Sequence, residues 1–325
     1  MIKVDRGNVE IPNCLRTDID SIGNREAEDA LKFFAARIAA RTKADAEVGD
    51  LLDEGSGDPA PKKEKEKSFP FQAYRSGDVK LKLKALFNGK CGFCETDYGG
   101  AAFDIEHFRP KGGIDFEVDG EDQTYPDGYY WLAADWSNLI YSCQHCNRCE
   151  NHDQVIQAGS AKRRIVSGKG NYFPLSDESM RLQLGDPISK EEPYRDLLNP
   201  CLDNPRDHLE FREDGLVFAK MVGGRPSRMG VASIKYYGLR RDPLVERRKT
   251  QARNLQRAII DLDNSLVMFR AQPESRESRS EVIAKLSNIR EEYLAPNRPF
   301  LGMCKHIFLR RVDVVRIRDE LNRRR

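Results

Sequence analysis

The sequence predicts an α+β chain, with a small metal-clamped centre between largely helical N- and C-terminal extensions. Three observations predict this. Two Cys-x-x-Cys units, Cys91-Gly92-Phe93-Cys94 and Cys143-Gln144-His145-Cys146, stand 48 residues apart. Residues 91–175 are irregular and carry both Trp and most of the His and Cys. Beyond about residue 233, apolar residues recur at helical spacing.

In chain order, Ala27, Leu31, Phe34 and Ile38 place a helix over 24–48. The segment from Asp53 to Lys67 is dominated by Gly, Pro and charge, has no core to bury, and reads as a mobile linker. Residues 78–88 read two ways. Val79 to Lys84 alternates like a strand, while Val79, Leu83, Leu86 and Phe87 form a helical stripe with Asp78 as its cap. The helix is favoured. Further on, Asp242 with Pro243 reads as an N-cap and first helical residue, followed by Leu255, Ile259, Leu262, Leu266 and Phe269. Ser278 and Glu281 fit a capping box ahead of Val282, Leu286, Ile289 and Tyr293. A last helix is expected over much of 303–322. No internal repeat is visible. The expected units are 1–70 (helix and linker), 71–180 (the zinc-clamped core) and 181–325 (mostly helical and basic).

The chain has 325 residues, 39% apolar and 33% charged. It holds no apolar run of the ~18 residues that cross a bilayer, and its first residues do not resemble a signal peptide. The expected location is cytoplasmic, with no membrane partner. Cysteine pairs in such a reducing compartment suggest metal ligation over disulfides. The net charge of +2 hides a split. Residues 91–152 hold twelve Asp/Glu against three Lys/Arg, whereas 240–257 hold seven Lys/Arg against two acids. Residues 296–325 hold nine against three. The acidic centre suits cations. The two basic stretches, with Arg247, Arg248 and Arg253, suit nucleic acid or a partner. Solvated helix faces carry such charge equally often.

Cys91, Cys94, Cys143 and Cys146 together complete a tetrahedral four-thiolate site, which suits structural Zn²⁺. A redox pair fits poorly, because neither unit sits in a βαβ context. Cys149, three residues past Cys146, offers a replacement ligand and reads more simply as a bystander.

Between the cysteine pairs lies Asp104-Ile105-Glu106-His107-Phe108-Arg109-Pro110-Lys111, then Trp136-Ser137-Asn138-Leu139. Asn147 follows the second pair directly. This order resembles the HNH, or ββα-metal, endonucleases, whose fold is treble-clef-like. The fuller string of Tyr-Tyr-Trp-Leu-Ala, Asn171-Tyr172-Phe173-Pro174-Leu175, Leu198-Asn199-Pro200 and Asp207-His208-Leu209 resembles the HNH subunit of Septu-type and retron-associated antiphage systems. The resemblance covers roughly residues 75–250. It implies a DNA endonuclease that works in antiphage defence beside an ATPase subunit. The chain itself lacks a phosphate-binding loop of the Gly-x-x-x-x-Gly-Lys-Ser/Thr kind.

The residue chemistry agrees with that reading. His107 would be the general base. Glu106, pointing the other way if the two share a strand, would bind a catalytic Mg²⁺ or Mn²⁺. Asn138 would orient the His107 ring. Asn147, at the start of a final helix, matches the family's last metal-binding position, with Asn151 or His152 further along that helix as alternatives. Arg109 and Lys111 are candidate phosphate holders. Tyr129, Tyr130, Trp131 and Trp136 read as core packed on the zinc frame more readily than as base-stacking platforms. His145 reads as a solvated turn residue, and His208 and His306 carry no assigned role. Cleavage of RNA or tRNA, or an inactive zinc-clamped binding module, are the competing readings.

Overall fold

The computed structural model describes residues 1–53, 68–100, 102–118 and 120–322, the side chains of 45–53 and 118 excepted. The chain is a mixed α+β structure. Helix α1 (Ile22–Asp53) starts at Ser21, whose Oγ accepts from the Asn24 amide at 3.1 Å. It turns Ala30 and Phe34 inward, and Phe34 stacks on Tyr130 with ring centroids 4.0 Å apart. The expected linker lies, beyond Asp53, outside the described residues.

Helix α2 (Gly77–Leu86) resolves the ambiguous stretch. Val79, Leu83 and Leu86 are buried, whereas Leu81, which a strand would bury with them, is 67% exposed. Ser76, not Asp78, occupies the cap position, and Asp78 lies in the first turn, where a carboxylate favours the helix dipole.

Strand β1 (Phe103–His107) leads to a hairpin of β2 (Ile114–Val118) and β3 (Glu121–Tyr125), and then to β4 (Leu139–Cys143). β1 and β4 pair antiparallel, with Phe103 opposite Cys143 and His107 opposite Leu139. This register puts the second cysteine pair at one end of the ladder and His107 at the other. β4 is buried along its whole length, and helix α2 packs against it.

A single turn, α3 (Gln144–Asn147), follows. The expected continuation of this helix through Asn151 and His152 does not occur. Arg148 is extended, and residues 150–154 form β5 (Glu150–Gln154), paired with β6 (Arg163–Ser167). Cys149 to Asp153 supplies no apolar stripe that a helix could bury. Gly168 (φ +123°) closes the hairpin against α3, and a Cβ there would stand 1.7 Å from the Arg148 carbonyl oxygen.

The remainder comprises hairpins β7 (Leu209–Phe211)/β8 (Val217–Ala219) and β9 (Met221–Val222)/β10 (Arg225–Pro226), then helices α4 (Arg228–Tyr236), α5 (Asp242–Ala271), α6 (Arg276–Tyr293), α7 (Leu301–Arg311) and α8 (Val314–Asn322). α5 packs on α6 and α7 through the predicted stripe Leu255, Ile259, Leu262, Leu266 and Phe269, all buried.

Three predicted boundaries shift. Asp242 is the first residue of α5 and pairs with Lys162 at 2.8 Å instead of capping. Ser275, not Ser278, caps α6, accepting from the Ser278 amide. The last helix is two, because Val312 is extended and Asp313 Oδ1 accepts from the Arg316 amide at 3.0 Å, starting α8 afresh. One apolar core joins the cysteine frame to these helices, with Phe93 stacked on Tyr237 at 4.0 Å. Among the described residues, no helix is long and apolar enough to cross a membrane.

Candidate active site and metal centre

The four predicted cysteines converge. The Sγ atoms of Cys91, Cys94, Cys143 and Cys146 all lie within 4.8 Å of one another, and all four residues are buried. Cys94 and Cys143 are 3.9 Å apart, close to the ~3.8 Å edge of a tetrahedron with 2.3 Å Zn–S bonds. The cluster fits one zinc ion. Cys149 stands apart from it, its thiol 3.2 Å from the Gly168 carbonyl.

Arg241, which the sequence did not single out, serves the cluster. Its Nη1 donates to Cys146 Sγ at 3.3 Å. Burial opposes its charge, and the Cys146, Cys94 and Cys143 thiolates more than offset that and hold it positive. Glu95, just past the first pair, ties the frame to α7 by accepting from the Gly302 amide at 2.9 Å, and to the amino group of Met1 at 2.5 Å.

A cleft of about 940 Å³ opens along the whole of β1 and over the end of α3. Its lining includes Asp104, Glu106, His107, Lys111, Asn147 and Arg148. Of the predicted metal-binding alternatives, Asn147 faces this cleft, while Asn151 and His152 sit on β5 and do not line it.

His107 is 4% exposed. Its Nε2 lies 3.0 Å from the Ala133 carbonyl oxygen. A carbonyl only accepts, so Nε2 carries the proton and Nδ1 keeps its lone pair. Lys111 Nζ stands 3.5 Å from Nδ1 and 4.8 Å from the centre of the Tyr74 ring, which meets the imidazole edge-on. Burial first, and the Lys111 charge second, push the His107 pKa well below its ordinary value, so the ring is neutral near pH 7.

Asn138, expected to orient the His107 ring, does so without a hydrogen bond to it. Its Oδ1 accepts from the Arg109 amide at 2.8 Å, and its Nδ2 donates to the carbonyls of Arg109 and Leu132 at 3.0 and 3.1 Å. It therefore fixes the chain leaving β1 and the residue before Ala133, the acceptor of the His107 proton. Asn138 positions the His107 ring through the backbone on either side of it.

Arg109 is not placed to hold phosphate. It is buried, with Nε donating to Glu191 at 2.7 Å and Nη2 to Glu192 at 2.8 Å. In the first basic stretch Arg241 and Arg248 are buried, Arg248 donating to the Leu239 carbonyl, while Arg247 and Arg253 are exposed. In the second, Arg316 bonds Glu320 from an exposed position. The cations lining the cleft come from elsewhere: Arg37, which pairs with Asp127, and Arg75, Lys80, Lys111 and Arg148.

Two residues that contact the predicted set carry no motif in the sequence: Asp104, which lines the cleft, and Lys169, which contacts Glu106 from the interior. Lys169 is fully buried, with Nζ 2.6 Å from Glu106 Oε1. Burial raises the Glu106 pKa, and Lys169 pulls it back. Asp104, two residues before Glu106 on the strand, accepts from Asn147 Nδ2 at 3.0 Å and pairs with Arg148. The Gly168-Lys169-Gly170 triplet was the available signal for Lys169, since flanking glycines mark close backbone approach. The predicted aromatic core is present, with Tyr129, Tyr130 and Trp136 buried and Trp131 half-buried.

No protein-family model matches the chain. The chain is 39% identical over 320 residues to Septu protein PtuB of Bacillus mycoides (strain KBAB4), covering 94% of this chain and 89% of that protein. It is 29% identical over 166 residues to Septu protein PtuA of the same strain, covering 51% of this chain and 20% of that protein. Against a Septu protein PtuB of Bacillus thuringiensis it is 27% identical over 135 residues, covering 41% and 32%.

Proposed function

Because the chain belongs to the Septu PtuB family, we propose that it is the nuclease component of a Septu-type antiphage defence system and hydrolyses phosphodiester bonds in DNA by HNH chemistry. The observation that carries this reading is the state of His107. A buried, neutral imidazole donates from Nε2 to a fixed carbonyl and turns an unprotonated Nδ1, 3.5 Å from Lys111 Nζ, towards a cation-lined cleft. That is the arrangement a general base requires.

In this reading His107 Nδ1 takes the proton of the attacking water. Ala133, held through Asn138, keeps the ring in the tautomer that leaves Nδ1 unprotonated, and Lys111 would turn from Nδ1 to the phosphate. Lys111 meets the phosphate from the side of His107, and Arg148 from the end of α3. Glu106 and Asn147 are the residues to hold a divalent ion, with Asp104 beside them. This all-oxygen donor set suits Mg²⁺ or Mn²⁺. The ion would offset charge on the phosphoryl oxygens and help the leaving oxygen depart. Lys169 occupies the cationic position against Glu106 in the structure and would have to share or yield it. Zinc at the four thiolates would hold the ladder's far end and take no part in the chemistry.

PtuA is a differently named protein of the same system, and we infer that a partner subunit supplies the ATP chemistry, for which this chain has no phosphate loop of that kind. The test is cleavage of supercoiled plasmid by the purified chain, alone and with its partner subunit, in Mg²⁺ or Mn²⁺ and again in EDTA. Metal-dependent nicking supports the proposal. Cleavage of tRNA with plasmid left intact would transfer it to RNA. No cleavage of either under any condition would reduce the chain to a zinc-clamped binding module.

A further inference from the structure

Away from the cleft, the turn after the second cysteine pair brings three ligand-type side chains together. Glu150 and His152, two residues apart on β5, share a face of the strand. His145, on α3, meets them from the knuckle. His145 Nδ1 lies 3.4 Å from Glu150 Oε2, His152 Nε2 lies 3.8 Å from the same oxygen, and the two nitrogens are 3.5 Å apart.

A tetrahedral zinc ion with bonds of ~2.1 Å holds its N and O ligands ~3.4 Å apart, and the observed 3.4, 3.5 and 3.8 Å are close to that edge. The imidazole rings are nearly perpendicular, with centroids 5.5 Å apart, so they converge through their nitrogens and do not stack. His152 Nδ1 lies 3.1 Å from Ser167 Oγ. That contact turns Nε2 inward, as outer partners of metal-bound histidines do. Without a cation, a carboxylate and two imidazole nitrogens face one another, and the 3.5 Å nitrogen pair satisfies one proton at most. Glu150 and His145 remain half-exposed to solvent, so an ion has a way in.

We propose that His145, Glu150 and His152 form a second metal site, for a divalent transition ion of the zinc class, with one coordination position left open to water. Two imidazoles and one carboxylate favour zinc, cobalt or nickel over magnesium or calcium. The ion would clamp α3 to the β5–β6 hairpin. The clamped segment, residues 145–152, carries Asn147 and Arg148 into the cleft, so occupancy would steady that wall of it. The proposal stands on these three side chains and does not depend on the nuclease reading.

The test uses the full-length chain, free of any histidine tag, dialysed against buffered micromolar Zn²⁺ and measured by elemental analysis. The expected result is two zinc ions per chain, falling to one in His145→Ala and one in Glu150→Gln. Titration with Co²⁺ identifies which ion is lost. The thiolate-to-cobalt charge-transfer bands of the cysteine cluster should persist unchanged in both variants, because only that site has sulfur ligands. His145 is an exposed turn residue, so its variant should fold even if a change at Glu150 disturbs the hairpin. One zinc per chain in the wild type, or a second ion retained by both variants, would overturn the proposal.

Discussion

Replacing Asn138 with Ala should destabilise the protein and slow any catalysis at the same time, although Asn138 touches no reacting atom. The side chain is 4% exposed and makes three hydrogen bonds to backbone groups. At ~1 kcal/mol each, with an added cost for the backbone groups left unpaired in the interior, the loss should be roughly 2–4 kcal/mol. Asn138→Asp keeps the acceptor for the Arg109 amide but turns a second carboxylate oxygen towards the Arg109 and Leu132 carbonyls. It should be at least as destabilising as Ala. Urea denaturation followed by tryptophan fluorescence reads this directly, since Trp136 lies two residues away. The midpoint should fall at unchanged slope. A wild-type midpoint for both variants, combined with full loss of cleavage, would refute the reasoning. Asn138 would then act on the imidazole or substrate directly and not through the backbone.

Three further outcomes follow from other contacts. Cys91→Ser should lose zinc and folded structure together, measured by elemental analysis and circular dichroism, because ligand loss at a structural zinc site is coupled to folding. Lys169→Met leaves the buried Glu106 carboxylate without its ion pair and should cost ~3–5 kcal/mol in denaturant. Added Mg²⁺ or Mn²⁺ should restore part of that loss, and a variant as stable as wild type without metal would contradict the pairing. Asp196, beside Arg228, is pushed up to about 6, chiefly by burial. Its folded pKa exceeds the unfolded ~3.9, so the stability it contributes is present below that value and is lost as pH rises through 6. Asp196→Asn should therefore gain stability relative to wild type between pH 5 and 8, by at most about 3 kcal/mol. A difference independent of pH would contradict this origin.

Much of the metal frame was legible in the sequence because cysteine spacing is short-range information. Two Cys-x-x-Cys turns can present their thiols only within a few residues. The α5 stripe was legible for a similar reason, since helical periodicity is local. What the sequence hid was tertiary. Lys169 meets Glu106 across 63 positions and Arg109 meets Glu191 across 82, and no local pattern announces either pairing. Arg109 and Lys111 looked alike as phosphate holders. Only the fold shows that two carboxylates take up the first, while the second faces the cleft. The helix expected after Asn147 failed because polarity, not apolar spacing, fills residues 149–153. With no stripe to bury, pairing with β6 decides their conformation. Composition also counts a buried arginine such as Arg248 the same as an exposed one such as Arg247, so the charge clusters alone do not say which cations face solvent.

The central claim is that His107 Nδ1 is the base of a metal-dependent nuclease, and His107→Ala tests it most directly. The variant should keep its zinc and still unfold cooperatively, since the zinc ligands are sulfurs at the far end of the β1–β4 ladder, but at a lower midpoint, because losing a buried imidazole leaves the Ala133 carbonyl unpaired. It should nick supercoiled plasmid ~10²–10⁴ times more slowly than wild type, and no concentration of Mg²⁺ or Mn²⁺ should rescue it. Glu106→Ala, assayed alongside, should also be inactive but should recover in part at high metal, because it lacks a ligand and not the base. If the His107 variant cuts at the wild-type rate with its zinc intact, the cleft is not the nuclease site.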